Sequence, residues 1–148
     1  SNEALAGMLE EYDIFLKAHD KKEILLDALK ERAKSMKELA VLIKSILETP
    51  TAYDDKAVKK AFKGDAMEIL KAFSQKLEAA QTLHLPSDYH HEMESLVNEM
   101  GIGFGKIGMP LRVALLGEMS GPGLDSVMAI IGREETLKRI ANAVSAFS

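Results

Sequence analysis

Apolar residues recur along this chain at helical spacing, in short runs separated by polar or Gly/Pro breaks, and no long stretch alternates with period two. Over residues 3–17, Leu5, Met8, Leu9, Tyr12 and Leu16 mark one face of an amphipathic helix. Asp20 stands where it could cap a second helix, whose inner face is Ile24, Leu25, Ala28 and Leu29. Ser35 with Glu38 three residues later has the form of a reciprocal N-terminal cap. Leu39, Leu42, Ile43, Ile46 and Leu47 follow it at helical spacing. Thr49-Pro50-Thr51 ends that helix. Asp54-Asp55 starts a short one carrying Val58 and Phe62, Gly64 closes it, and Asp65 caps the next, with Leu70, Phe73 and Leu77 inward and Ala80 near its end.

Residues 81–87, with Pro86 among them, read as a link between two small helical subdomains, 1–82 and 83–148. Ser87 or Asp88 then begins a helix that Gly101 ends, with Met93, Leu96, Val97 and Met100 inward. Pro110 has a fixed φ and no N–H, which suits a first helical turn, so it is expected to open a short helix through Leu116 that Gly117 stops. Ser120-Gly121-Pro122-Gly123 is a tight turn. Leu124, Val127, Met128 and Ile131 form the next helix face, Gly132 stops that helix, and Leu137, Ile140, Ala141 and Val144 line a closing one. The expected fold is all-α, built of short helices in two subdomains.

Composition narrows the class. With 148 residues and 47% hydrophobic content the chain can bury a core. No apolar run approaches the roughly 18 residues of a membrane span, and no charged-then-apolar leader is present, so no membrane partner is expected. Cysteine is absent, which excludes disulfides and Cys-ligated zinc and suits a cytoplasmic protein. The net charge of −4 argues against a polyanionic partner until its distribution is considered. Lys30, Arg32, Lys34 and Lys37 enclose one acid, and Lys56, Lys59, Lys60 and Lys63 enclose none. Such patches are either solvated helix faces or contacts to a phosphate backbone within a Debye length of about 8–10 Å. The break near residues 32–35 also presents a helix N-terminus, a natural seat for a phosphate. His90 and Glu94 share a helix face at i, i+4, but two ligands beside a misdirected His91 are too few, and no metal site is expected. No catalytic residue is indicated, since there is no nucleophile–base order, phosphate loop or glycine fingerprint.

Around Pro110 the chain resembles a known family. The run Met109-Pro-Leu-Arg-Val-Ala-Leu, then Gly117, the Gly121-Pro122 turn and Ile131-Gly-Arg-Glu, is similar to the C-terminal anticodon-binding region of bacterial glutamyl-tRNA synthetases. Pro110, Leu111, Arg112, Ala114, Leu115, Gly117, Pro122, Leu124, Gly132 and Glu134 match, while Leu116 stands where the family usually has Thr. The segment from Leu29 to Leu39 resembles an earlier part of the same region, and residues 40–100 match only in helical rhythm. The resemblance implies a helical cage that binds the anticodon stem-loop of glutamate tRNA, with glutamine tRNA as the second candidate, not DNA, joined to a catalytic domain in the full-length protein. Neither the His-Ile-Gly-His nor the Lys-Met-Ser-Lys type motif of that domain occurs here, so this stretch alone should make no aminoacyl-adenylate. It should hold no cofactor, ATP and Mg belonging to the catalytic domain.

By the same resemblance, Arg32 falls at the position that reads the first anticodon base, where Arg favours glutamate over glutamine tRNA. Its alternative is a surface ion pair with Glu31 or Asp27. Arg112 falls at a second anticodon-contacting Arg; alternatively it bonds loop carbonyls near residues 117–121. The turn with Gly121 and Leu124 falls on a loop that packs against the anticodon, or is an ordinary helix–helix turn. Lys34, Lys37 and Lys106 are the phosphate-contact candidates. The rival function is a helical protein–protein adaptor with no RNA role, favoured by the net negative charge and by only 5% aromatic residues for base stacking.

Overall fold

Caps and left-handed residues decide where this chain turns. A computed structural model of the chain describes residues 1–16 and 19–148, and among these the regular structure is eight α-helices and one 3-10 turn, with no strand. They form two compact units, Ser1–Glu48 and Thr49–Ser148.

In the first unit, α1 (Asn2–Leu9) runs into a 3-10 turn over Glu10–Tyr12, and Asp13 in the left-handed conformation (φ 61°) ends it. The helix is thus shorter than the apolar spacing suggests; Lys17 lies outside the described residues. α2 (Lys22–Leu29) is not capped by Asp20. Lys21 holds the cap position, and its N–H donates to His19 Nδ1 at 3.0 Å. Its buried face is Leu25, Leu26 and Leu29, rotated from Ile24 and Ala28, which are half-buried. α3 (Met36–Leu47) starts as its sequence predicts: Ser35 Oγ accepts the Glu38 N–H at 3.1 Å, and the Glu38 carboxylate reaches back to the Lys34 N–H. Asn2 pins α1 to α2 by donating to Glu23 and Asp27 at 2.7 and 2.9 Å.

The second unit holds α4 (Asp55–Ala61), α5 (Ala66–Ala79), α6 (Pro86–Met100), α7 (Phe104–Leu116) and α8 (Leu124–Phe147). α5, α6 and α7 all pack on α8, and α4 packs on α7. Asp54 caps α4 by accepting the Ala57 N–H at 2.9 Å, and Gly64 turns the chain with φ 61°. α6 begins at Pro86 rather than at Ser87 or Asp88. A proline at the first position leaves no N–H unpaired, and the Asp88 carboxylate accepts the His84 and Leu85 N–H groups at 2.9 Å each. Those two bonds hold the Asp88 carboxyl below the usual carboxylate range. Met100, expected inward, is 39% exposed beside the left-handed Gly101. The link of residues 81–87 lies inside this unit, because the helices on either side of it, α5 and α6, pack on each other as well as on α8.

Pro110 does not open α7. The helix starts at Phe104 and carries Pro110 in its interior, where the ring removes the N–H that would reach the Lys106 carbonyl. An interior proline costs about 3 kcal/mol or more, and here burial of Pro110 with Ile107, Leu111, Val113, Ala114 and Leu115 offsets it. Gly117 ends α7 at φ 78°. A Cβ there would stand 2.7 Å from the Ala52 carbonyl oxygen, and the Gly117 carbonyl accepts the Asp54 N–H at 2.8 Å. Gly132 (φ 86°, ψ 169°) breaks α8 where the sequence expects a stop, although helical bonding resumes at once.

The closing half of α8 buries Thr136, Arg139, Ile140 and Ala143, whereas Ala141 is exposed and Leu137 and Val144 are half-buried. The face is turned by a charged residue. Arg139 has no exposed surface: Nε donates to Glu135 Oε2 at 2.7 Å and Nη1 to the Leu115 carbonyl at 2.9 Å. The same Glu135 oxygen accepts the Thr49 hydroxyl. Burial alone would raise the Glu135 carboxyl, but the Thr49 and Arg139 hydrogen bonds, with the Arg139 and Lys138 charges, outweigh it and hold that carboxyl below its ordinary value.

Two outcomes follow from this pair. Arg139→Met should lower unfolding stability in urea by about 3–5 kcal/mol, since it strands a partly buried carboxylate and a carbonyl; a loss under about 1 kcal/mol would contradict the structural role. Glu135 has a lowered folded value, so its contribution is complete above its ordinary value of 4.5 and is lost as pH falls through the lower folded value. Stability measured against pH should therefore fall less steeply in acid for Glu135→Gln than for the unaltered chain, and coincident acid limbs would refute the linkage.

Candidate nucleic-acid interface

Arg32 lies in the turn between α2 and α3, its N–H donating to the Leu29 carbonyl at 3.0 Å and its side chain exposed. Among the described residues no carboxylate lies within ion-pairing distance of its guanidinium. Asp27 instead accepts from Asn2 and sits 3.2 Å from Lys30. Arg32 borders a groove of about 360 Å³ with Ser35, Lys37, Glu38, Val41 and Leu42. Val41 is 61% exposed, so the groove offers a bare apolar floor beside two cationic heads. That combination suits a flat, hydrogen-bonding ring, because a guanidinium can lie on a base or fork to its edge. The N-terminus of α3 is closed by its own caps, with the Glu38 carboxylate occupying the anion seat that the sequence suggests. Lys34 and Lys37 stay exposed beside it.

In the second unit α7 presents Arg112, half-buried, with Nη1 donating to the Pro122 carbonyl at 2.8 Å. Gly121 (φ 143°) closes over it: a Cβ there would stand 2.7 Å from Leu116 Cδ1 and 3.4 Å from Arg112 Nη1. The Gly121 position therefore answers to packing of the turn. Leu124, the first residue of α8, is 7% exposed. Arg112 and Leu124 share a cavity of about 350 Å³ with His90, Met93, Phe104 and Asp125. Phe104 is 42% exposed, and the His90 ring stacks on it with centroids 5.6 Å apart and planes at 11°. His90 Nε2 is also 3.4 Å from Glu94, its neighbour one helical turn on.

The cavity thus combines an aromatic face, a donor fork and, in Asp125, a carboxylate acceptor. An unstacked base is recognised by these three groups, through stacking and through bonds to its Watson–Crick edge. The two readings of Arg112 are compatible, since one guanidinium both holds the 120–123 turn and lines the cavity. Sequence pattern does not bring Phe104, His90 and Asp125 together. The available signal is that Phe104 is one of eight aromatic residues in the chain and follows the Gly101–Gly103 break. Lys106 stands on the same helix, 3.5 Å from Asp65, with Lys60 and Lys63 along an adjoining groove. Arg112, Gly121 and Leu124 meet in the second unit, while Arg32, Lys34 and Lys37 belong to the first.

Residues 4–144 match the family described as anticodon binding domain, and the chain belongs to that family. It is 62% identical over 144 residues to glutamate–tRNA ligase 1 of Sulfurimonas denitrificans, covering 97% of this chain and 31% of that protein. It is 59% identical over 143 residues to glutamate–tRNA ligase 2 of Nitratiruptor sp., again covering 97% and 31%. The crystal structure of a glutamate tRNA ligase from Elizabethkingia meningosepticum in complex with its amino acid superposes with a TM-score of 0.90 at 28% identity, covering 100% of this chain and 30% of that one. The chain thus spans under a third of the length of these relatives.

The Arg112 anchor is open to direct test. Arg112→Ala should leave the helical circular-dichroism signal in place, lower stability by about 1–3 kcal/mol, and speed amide exchange over residues 120–123. Unchanged exchange in that turn would show that the guanidinium does not hold it.

Proposed function

We propose that this chain is the anticodon-reading part of a glutamate–tRNA ligase and that it engages the anticodon stem-loop of glutamate tRNA. The observation that carries this reading is the Arg112 cavity, where stacking, donor and acceptor groups meet within a domain of the anticodon-binding family. Arg32 reads the first anticodon base from the first unit, with Gly121 and Leu124 shaping the second contact and Lys34, Lys37 and Lys106 meeting phosphates. Aminoacylation, with ATP, Mg and glutamate, falls to a catalytic domain elsewhere in the full-length cytoplasmic protein.

Such a module contributes selectivity rather than chemistry. A base that leaves a hydrogen-bonding group unmatched in a dry site costs about 1–3 kcal/mol, roughly tenfold to a hundredfold in binding. The net charge of −4 is compatible with this role, because it confines attraction to the lysine patches and so weakens indiscriminate RNA binding. The adaptor reading rested on that charge and on scarce aromatics, and Phe104, one of those few, lies in the Arg112 cavity.

The reading is tested by binding to anticodon stem-loops of glutamate, glutamine and an unrelated tRNA at two salt concentrations, using both this chain and the full-length protein. Preference for the glutamate or glutamine loop that weakens with salt is the expected result. Indifference to loop identity in both proteins would overturn it. Arg32→Gln should relax discrimination at the first anticodon base more than it weakens overall binding, whereas Lys34→Ala should weaken all loops alike. Equal losses across anticodon variants for both changes would remove Arg32 from the reading role.

A further inference from the structure

Beside the Arg112 cavity, and sharing Gly105 and Met109 with it, runs a second groove of about 320 Å³. One wall is the corner between α4 and α5, with Lys60, Lys63 and Asp65; the other is the first half of α7, with Lys106 and Pro110. Lys60 and Lys63 are exposed, and among the described residues neither is held in an ion pair. Lys106 is 3.5 Å from Asp65, with both side chains about half exposed. Lys56 and Lys59 extend the run, and the carboxylates of this stretch are Asp54, Asp55 and Asp65. The Asp54 carboxylate is engaged in capping α4. At the groove itself three lysines face one acid, a positive field in a chain whose net charge is −4. Gly105, on the boundary, and Gly108, in the cavity, add a second feature. A Cβ at either would meet nothing within 4 Å, so packing does not require glycine there, and the bare backbone lets a ligand strand come close.

We infer that this groove seats the phosphate backbone of the RNA strand whose neighbouring nucleotide enters the Arg112 cavity, an inference that rests on the anticodon-binding reading above. Lysine ammonium groups meet phosphates as point charges without reading bases, so the groove supplies affinity and register, and the cavity across the Gly105–Met109 boundary supplies discrimination.

The test is the double substitution Lys60→Ala with Lys63→Ala in the full-length protein, against Lys71→Ala, an exposed lysine bordering a different groove, as control. The double variant should weaken every stem-loop by the same factor, about tenfold at low salt, and reduce the slope of log K against log salt by about 0.7 for each single-strand phosphate that is no longer neutralised. Lys71→Ala should change neither quantity. A wild-type slope in the double variant, while the loops still bind with anticodon preference, would overturn the groove and leave the anticodon-binding reading standing. Absence of loop binding by the unaltered protein would overturn both. Inorganic phosphate provides the remaining arm: displacement of RNA no stronger than by chloride at equal ionic strength is expected, and stronger displacement would assign the groove to free phosphate instead. Gly108→Ala should raise the unfolding midpoint while weakening loop binding, and tighter or unchanged binding would count against close approach of the strand.

Discussion

A single buried guanidinium holds the second unit in register. An unpaired charge in a low-dielectric interior is prohibitively costly, and Glu135 and the Leu115 carbonyl meet Arg139 with good geometry. The choice of carbonyl matters. Leu115 lies in the last turn of α7, where carbonyls lack helical partners and carry the negative end of the helix dipole, so a cation there satisfies an orphan acceptor and complements the dipole. With Thr49 on the same carboxylate, one ion pair joins the start of the unit, the end of α7 and the closing half of α8.

The site inherits its geometry from that junction. Fixing the end of α7 fixes Gly117, whose left-handed turn brings its carbonyl to the Asp54 N–H and aims the chain into the 120–123 turn. That turn folds back on α7, where Arg112 holds the Pro122 carbonyl. Arginine serves three ends here, graded by exposure. Arg139 is wholly buried and joins helices, Arg112 is half-buried and both anchors a turn and lines a cavity, and Arg32 is exposed beside an apolar groove. The planar fork suits all three settings, and the environment decides which of its donors are left over for a ligand.

Local backbone chemistry was legible in the sequence. Ser35 and Asp54 cap helices, Gly64, Gly101, Gly117 and Gly132 take positive φ, and the lack of long period-two patterning pointed to the all-α fold seen among the described residues, because each of these depends on a few neighbouring residues. The family was legible for a related reason: the Pro110 to Leu124 stretch combines backbone-determining residues with one arginine in fixed order.

Tertiary packing decided what local preference could not. Pro110 sits inside α7 because the burial of five neighbouring side chains outweighs its helix-breaking cost, a balance no local rule contains. The face of the closing helix turned by a residue because Arg139 found partners 4 and 24 positions away in sequence. His90 and Phe104, on different helices, became one stacked platform only when α6 and α7 packed together. The link at 81–87 became an internal turn rather than a boundary because the helices it joins share α8. The sequence by itself thus determined the helices, most of their ends and the family. The partners of each buried charge and the residues gathered around Arg112 depend on contacts distant in the chain, which only the folded structure supplies.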